Sequence, residues 1–158
     1  MVAVDQITKS AAVEALSDGP VDVIPGILTL RLHFNPGGAF GILQDRPTFF
    51  LVATIAVMGL ILVWARGIDD RRLLVPLGLV LGGGAGNLAD RILRDHDGRV
   101  VDFVDLQVWP LFNVADASIV VGVVLIMLLT LRAGGSEDDP GDASRTGTAS
   151  RTASGPGG

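Results

Sequence analysis

Long uncharged runs dominate the chain. Pro47–Ala65 (PTFFLVATIAVMGLILVWA) and Leu73–Ala89 (LLVPLGLVLGGGAGNLA) carry no charge, and Val114–Leu131 carries only Asp116. Helices of such length cover roughly 25–30 Å, close to the hydrocarbon thickness of a bilayer, so each run predicts a transmembrane helix. The competing reading, a buried helix of a water-soluble core, fits one such run better than three in 158 residues. Met1–Leu16 (MVAVDQITKSAAVEAL) is helical in propensity too, but Asp5, Lys9 and Glu14 interrupt it, and it lacks the basic start and cleavage site of a signal peptide. Asp5 and Lys9 are four residues apart and share a helix face, which suits a helix that turns its polar face into a bundle.

Two segments have a different period. In Leu28–Asn35, Leu28, Leu30, Leu32 and Phe34 alternate with Thr29, Arg31, His33 and Asn35, the pattern of a half-buried strand. Pro36-Gly37-Gly38 reads as the turn that follows it. Val100–Leu106 is a second short strand or an interfacial segment. Strand edges find no partner in lipid, so these segments belong at the membrane surface or under cover. The predicted architecture is a membrane all-α bundle of four transmembrane helices (about 1–16, 47–65, 73–93 and 114–132) with a small β-element between the first two. Residues 133–158, rich in Gly, Ser and Thr without apolar periodicity, are expected to be a disordered tail.

Composition narrows the function classes. Hydrophobic residues make up 49% and charged residues 18%, with mean hydropathy +0.52 and net charge −5. The absence of Cys excludes disulfides, thiolate metal sites and a Cys nucleophile. The two histidines, His33 and His96, lie far apart, which argues against a His-rich zinc site. No basic patch is interleaved with aromatics and Tyr is absent, so a nucleic-acid partner is not expected.

Connectivity gathers the polar residues. The third and fourth helices are joined without another span between them, so Asn35, Asn87, Asp90, Asp102, Asn113 and Asp116 fall near one membrane surface. The RGIDDRR loop and Arg132 mark the other side as cytoplasmic. Arg31, Arg46, Arg91, Arg94 and Arg99 lie on the polar side, however, so counting arginines leaves orientation open.

Ionisable groups at membrane depth are functional candidates. Asp116 lies in FNVADASIVVGVV with no basic residue nearby, and Asp102 lies in RVVDFVD among apolar neighbours. Two carboxyls that share one proton can activate a water and protonate a leaving amine. The competing reading for Asp116 is a helix cap. Asp90, with Arg91 beside it, Arg94 four residues on and Asn87 three before, reads first as an ionised, paired organiser of structure and only then as a catalyst. Asn87 and Asn113 suit capping and hydrogen bonding to substrate equally. Gly82-Gly83-Gly84 and Gly86 fit close helix packing rather than a phosphate loop. A small transporter or channel would use inward Asp residues as a pathway but would place polar residues at both surfaces, and a non-catalytic scaffold needs no buried acid. Serine proteolysis is disfavoured, because Ser118 lacks a GxSG context and neither His lies in a span.

VDQITK (4–9), NPGGAFGIL (35–43), GGGAGNLADRI (82–92), VVDFVDL (100–106) and FNVADASIVVG (112–122) resemble, in order, the sequence blocks of the bacterial lipoprotein signal peptidases, the signal peptidase II family. The resemblance implies an aspartic endopeptidase of the bacterial inner membrane that needs no cofactor or metal. Such enzymes cut diacylglyceryl-modified prolipoproteins just before the lipidated Cys and are inhibited by globomycin. It implies Asp102 and Asp116 as the catalytic pair, with Asp5, Lys9, Asn35, Gly37, Asn87, Asp90, Arg91, Asn113 and Ala115 shaping the site and substrate groove. It also implies a monomer among membrane lipids, with both termini cytoplasmic, and the β-element and active site at the outer face. Three features depart from the family pattern. The apolar lead-in before Asp5 is short, so the natural start is expected upstream; the glycine turn reads NPGGAF; and Asp102 and Asp116 are closely spaced.

Overall fold

The computed structural model describes residues 1–37 and 47–134. The last residue of the expected turn, most of the glycine block at 38–43, and the tail from 135 onward lie outside the described residues. Among the described residues there are four α-helices: α1 (Val2–Ala15), α2 (Pro47–Ala65), α3 (Leu74–Leu93, preceded by a 3-10 turn at Arg71–Leu73) and α4 (Val114–Gly134). Three of them, α2, α3 and α4, are long and apolar enough to cross a membrane. The 14 residues of α1 rise only about 21 Å.

The helices differ in what they bury. Helix α2 is apolar all round, yet among its described side chains none is fully buried, as expected of a helix whose main neighbour is lipid. Helix α3 is the hub, packing on α1, α2 and α4, and its glycines make that possible. A Cβ at Gly83 would lie 2.5 Å from the Ala115 carbonyl oxygen, and one at Gly86 would lie 2.5 Å from Asp5 Oδ2. The glycine run is a packing surface, as its sequence suggested.

The β-element is a three-stranded antiparallel sheet in the order β1-β2-β3, formed by β1 (Val21–Ile24), β2 (Leu28–Asn35) and β3 (Val100–Asp105). It is therefore larger than a structure confined between α1 and α2, because the segment leading to α4 supplies its third strand. The first strand was not anticipated: it has four residues, all exposed. The expected alternation in β2 holds only in part. The register slips between Leu30 and His33, and Thr29, expected to face outward, is buried and donates to Asp22 Oδ1 at 2.6 Å. Leu30 and Leu32 pack with Ala12, Leu16, Phe103 and Val114, which fixes the sheet against α1 and the start of α4. Strand β3 is buried along nearly its whole length, and it carries Asp102 into the interior.

Candidate active site

Asp102 is 1% exposed. Asn35, at the end of β2, donates through Nδ2 to its Oδ2 at 2.8 Å, and Asn113 donates through Nδ2 to its Oδ1 at 2.7 Å. The other end of the Asn35 amide accepts the Gly37 N–H at 2.8 Å, closing a turn in which Gly37 has φ +102. A side chain at Gly37 would be strained by that φ and would collide with the Phe50 ring. Desolvation by burial raises the Asp102 carboxyl from its ordinary 3.8 to about 7; the Asp116 charge adds to this, and the two amide donors oppose it.

Asp116 takes part in a helix cap, the competing reading of its sequence. Asn113 caps α4 by accepting the Asp116 N–H at 2.9 Å, while Asp116 Oδ2 accepts the Asn113 N–H at 3.2 Å. This is a reciprocal capping box built from Asn and Asp. The remaining oxygen, Oδ1, accepts from Asn87 Nδ2 at 2.7 Å. The Asn113 side chain thus bonds to Asp102 with one end and to the Asp116 backbone with the other. Asn87 is not at a helix end as expected. It lies inside α3, where its Oδ1 accepts from Lys9 at 2.9 Å and from Asn113 at 3.1 Å.

Beneath the pair lies a buried ionic cluster. Lys9, the chain's single lysine, is 0% exposed and sits 2.9 Å from Asp5 Oδ2 and 2.9 Å from Asp90 Oδ2. With Asn87 as third acceptor, all three ammonium protons have partners. Asp5 Oδ1 accepts the Ala115 N–H at 3.0 Å, which places a carboxylate at the positive end of α4. Asp90 also accepts the Val101 N–H at 2.9 Å and pairs with Arg94 at 3.2 Å. Asp90 is thus the organiser expected, but Arg91 is not its hydrogen-bonded partner. The Arg91 guanidinium donates to the Asn87 carbonyl at 3.2 Å, and its Nε is buried with no hydrogen-bond partner among the described residues. Gln6, which sequence reasoning passed over, donates to Asp90 Oδ1 at 2.7 Å and to the Gly86 carbonyl at 3.1 Å. Its position beside Asp5 in DQITK was the available signal.

A groove of about 300 Å³ opens beside Asp116, walled by Leu106, Trp109 and Phe112 on one side and Ala117, Val120 and Val121 on the other. Asp116 is its only ionisable lining residue among the described residues. Ser118 is excluded as a nucleophile facing this groove: it is buried and donates to main-chain carbonyls of Ala115 and Leu79. The buried ionised and amide groups lie along α1, the last turns of α3, β3 and the start of α4. The opposite half of the bundle has none among the described residues, contrary to what a transmembrane pathway requires.

Apolar helices around a one-sided polar centre define a multi-pass membrane protein with a hydrolase-like site. A profile for signal peptidase (SPase) II matches residues 1–132. The lipoprotein signal peptidase of Caldicellulosiruptor bescii is 39% identical over 133 residues, covering 84% of this chain and 87% of that protein. That of Shouchella clausii is 41% identical over 141 residues, covering 87% and 91%. A solved bacterial membrane enzyme superposes with a TM-score of 0.74 at 32% identity, over 87% of each chain. The chain belongs to the signal peptidase II family and is a peptidase of a bacterial membrane.

Proposed function

We propose that this chain is an aspartic endopeptidase that removes the signal peptide from diacylglyceryl-modified prolipoproteins, cutting before the lipidated Cys with a water activated between Asp102 and Asp116. The observation that carries this reading is the Asn113 bridge: one amide side chain ties both carboxyl-bearing residues together at the mouth of an apolar groove. Family membership supports the substrate class.

In this mechanism the deeper Asp102, raised to about 7, holds the shared proton near neutral pH. Asp116, which opens on the groove, takes a proton from water. The resulting hydroxide adds to the scissile carbonyl carbon as Asp102 protonates the carbonyl oxygen. Collapse of the diol breaks the C–N bond. The proton on Asp116 passes to the leaving amine, and one hydroxyl proton returns to Asp102, leaving a carboxylic acid and a free amine. Asn35, Gly37, Asn87 and Asn113 orient the pair, while Asp5, Lys9, Asp90 and Ala115 brace the frame. Arg91, whose charge acts on both carboxyls, helps to shape the site. Globomycin-type inhibitors would compete for the same groove.

We further propose four crossings with α1 as the first, both termini in the cytoplasm, the site at the outer face, and a monomer in lipid. Reporter fusions after Arg132 should read cytoplasmic and fusions within Asp95–Arg99 external; the reverse would invert the site. The decisive assay is cleavage of a diacylglyceryl-Cys prolipoprotein by the purified protein in detergent, with and without globomycin. Absence of cleavage, or cleavage that Asp102→Asn leaves intact, would reject the mechanism.

A further inference from the structure

Little of the protein packs against the outer part of the groove wall at Leu106–Trp109, where Val108 is 91% exposed and Trp109 is 65% exposed. The wall is held at both ends by polar contacts. Downstream, Phe112 exchanges main-chain hydrogen bonds with Val104 at 2.9 and 3.1 Å. Upstream, Asp105 Oδ1 accepts the Gln107 N–H at 2.8 Å, and Gln107 Nε2 donates to Thr29 Oγ1 at 3.1 Å. These contacts keep Gln107 at φ +63, a region that a residue with a side chain enters only when its surroundings demand it. The Asp105 carboxylate is 4% exposed. Its second oxygen is 2.8 Å from Arg31 Nε, which ties the same residue to β2. Asp105 touches neither of the proposed catalytic carboxyls. It is a buried acid that the mechanism does not use.

We propose that Asp105 is a positioning residue for substrate binding: it clamps the Gln107 turn and so holds Leu106 and Trp109 as the wall of the groove beside Asp116. This rests on the peptidase reading for its kinetic consequence but not for its structural one. Loss of the clamp frees the wall while Asp102, on the opposite side of the Asn113 bridge, keeps its own donors. Binding therefore weakens and the chemical step does not.

The test uses the full chain in detergent with Trp64→Phe, so that Trp109 is the one remaining tryptophan. Asp105→Ala should lower Trp109 fluorescence anisotropy and raise KM for the lipopeptide about tenfold, with kcat within about twofold of the parent. Asp105→Asn keeps an acceptor oxygen for the Gln107 N–H and should stay within about threefold of the parent KM, since the half-exposed Arg31 pair contributes little. Where Asp105→Ala does not fold, Thr29→Val removes the second anchor without touching Asp105 and should shift anisotropy and KM in the same direction. Unchanged anisotropy, a fall in kcat at constant KM, or an Asn variant as impaired as the Ala variant would each overturn the clamp. A parent protein that cleaves nothing would instead refute the peptidase reading, while the anisotropy measurement still decides the clamp.

Discussion

Two cavities of about 300 Å³ lie along different stretches of α4 and share almost nothing but size. One is the groove beside Asp116. The other is lined by Ile61, Trp64, Leu77, Val80, Val123, Ile126 and Met127, with no ionisable group. Helices alone build the second, and helix faces adapted to lipid supply only apolar surface. The first lies where the sheet and the turn before α4 bring backbone N–H groups, Asn35 from β2 and Asn113 against the helices. Apolar volume is thus common to both ends, and among the described residues the buried charged groups are confined to the end that the sheet supports. The sheet earns its place by delivering Asp102 and by fixing the cap of α4.

The largest test of that contrast is the acid pair itself. Asp102→Asn and Asp116→Asn keep shape and remove acid/base capacity, so each should lower kcat by at least ~10²-fold. The double variant should be little worse than either single one, because the two act as a unit. Met127→Leu in the opposite cavity should leave kcat unchanged. If Asp102→Asn retained turnover while Asp90→Asn folded normally and was inactive, the catalytic couple would be Asp90 with Asp116.

Next in size is the ionic cluster. Asp90→Asn leaves Lys9 with one carboxylate fewer and Arg94 without its acidic partner. Removing one member of a buried pair costs about 3–5 kcal/mol. The readout is thermal melting and folded yield in detergent, with a severe loss expected. A variant that melted like the parent would show that the cluster is not what holds α1 to α3.

A smaller effect separates Asp102 from the acids that brace the frame. Its folded value of about 7 lies above the ordinary 3.8, so between those values the folded state holds a proton that the unfolded chain has lost. Its contribution to stability therefore declines as pH rises from about 4 to about 7 and is constant above, by at most about 4 kcal/mol. Asp102→Asn should flatten that part of the melting-temperature profile. Activity of the parent should fall as pH rises past about 7, when the pair loses its shared proton. Parallel melting profiles for the two proteins would show that Asp102 ionises without cost.

Much of this was legible beforehand, for reasons that differ by region. The positions of α2, α3 and α4 follow from their largely uncharged runs, because lipid penalises every charge and makes the pattern long, although α3 continues past its run through Asp90 and Arg91 to Leu93. Strand β1 left no such signal: VDVI is four residues long and exposed throughout, so no alternation marks it. The pairing of Asp5 with Lys9 was readable from helical spacing, whereas the link from Lys9 to Asp90 joins residues remote in sequence. Neighbours along the helix pointed to Arg91 and Arg94, and Arg94 is the one that pairs with Asp90. The blocks containing Asp102 and Asp116 were recognisable as a resemblance. That Asn113 ties them and that Asn87 works from inside a helix are tertiary facts without a local pattern.

The smallest expected effect sharpens the comparison within a single helix. Gly78 and Gly86 both lie in α3, one toward each end. A Cβ at Gly78 meets nothing within 4 Å, whereas one at Gly86 lies 2.5 Å from Asp5 Oδ2. Gly78→Ala removes backbone freedom from the unfolded chain at no steric cost, so it should raise stability by up to about 1 kcal/mol. Gly86→Ala must displace the carboxylate that holds both Lys9 and the Ala115 N–H, and should lose stability. The pair is read by melting in detergent, where a small upward shift for Gly78→Ala against a clear downward shift for Gly86→Ala is expected. Equal shifts would mean that α3 does not press α1 against the site, and the distinction between its two ends would fail.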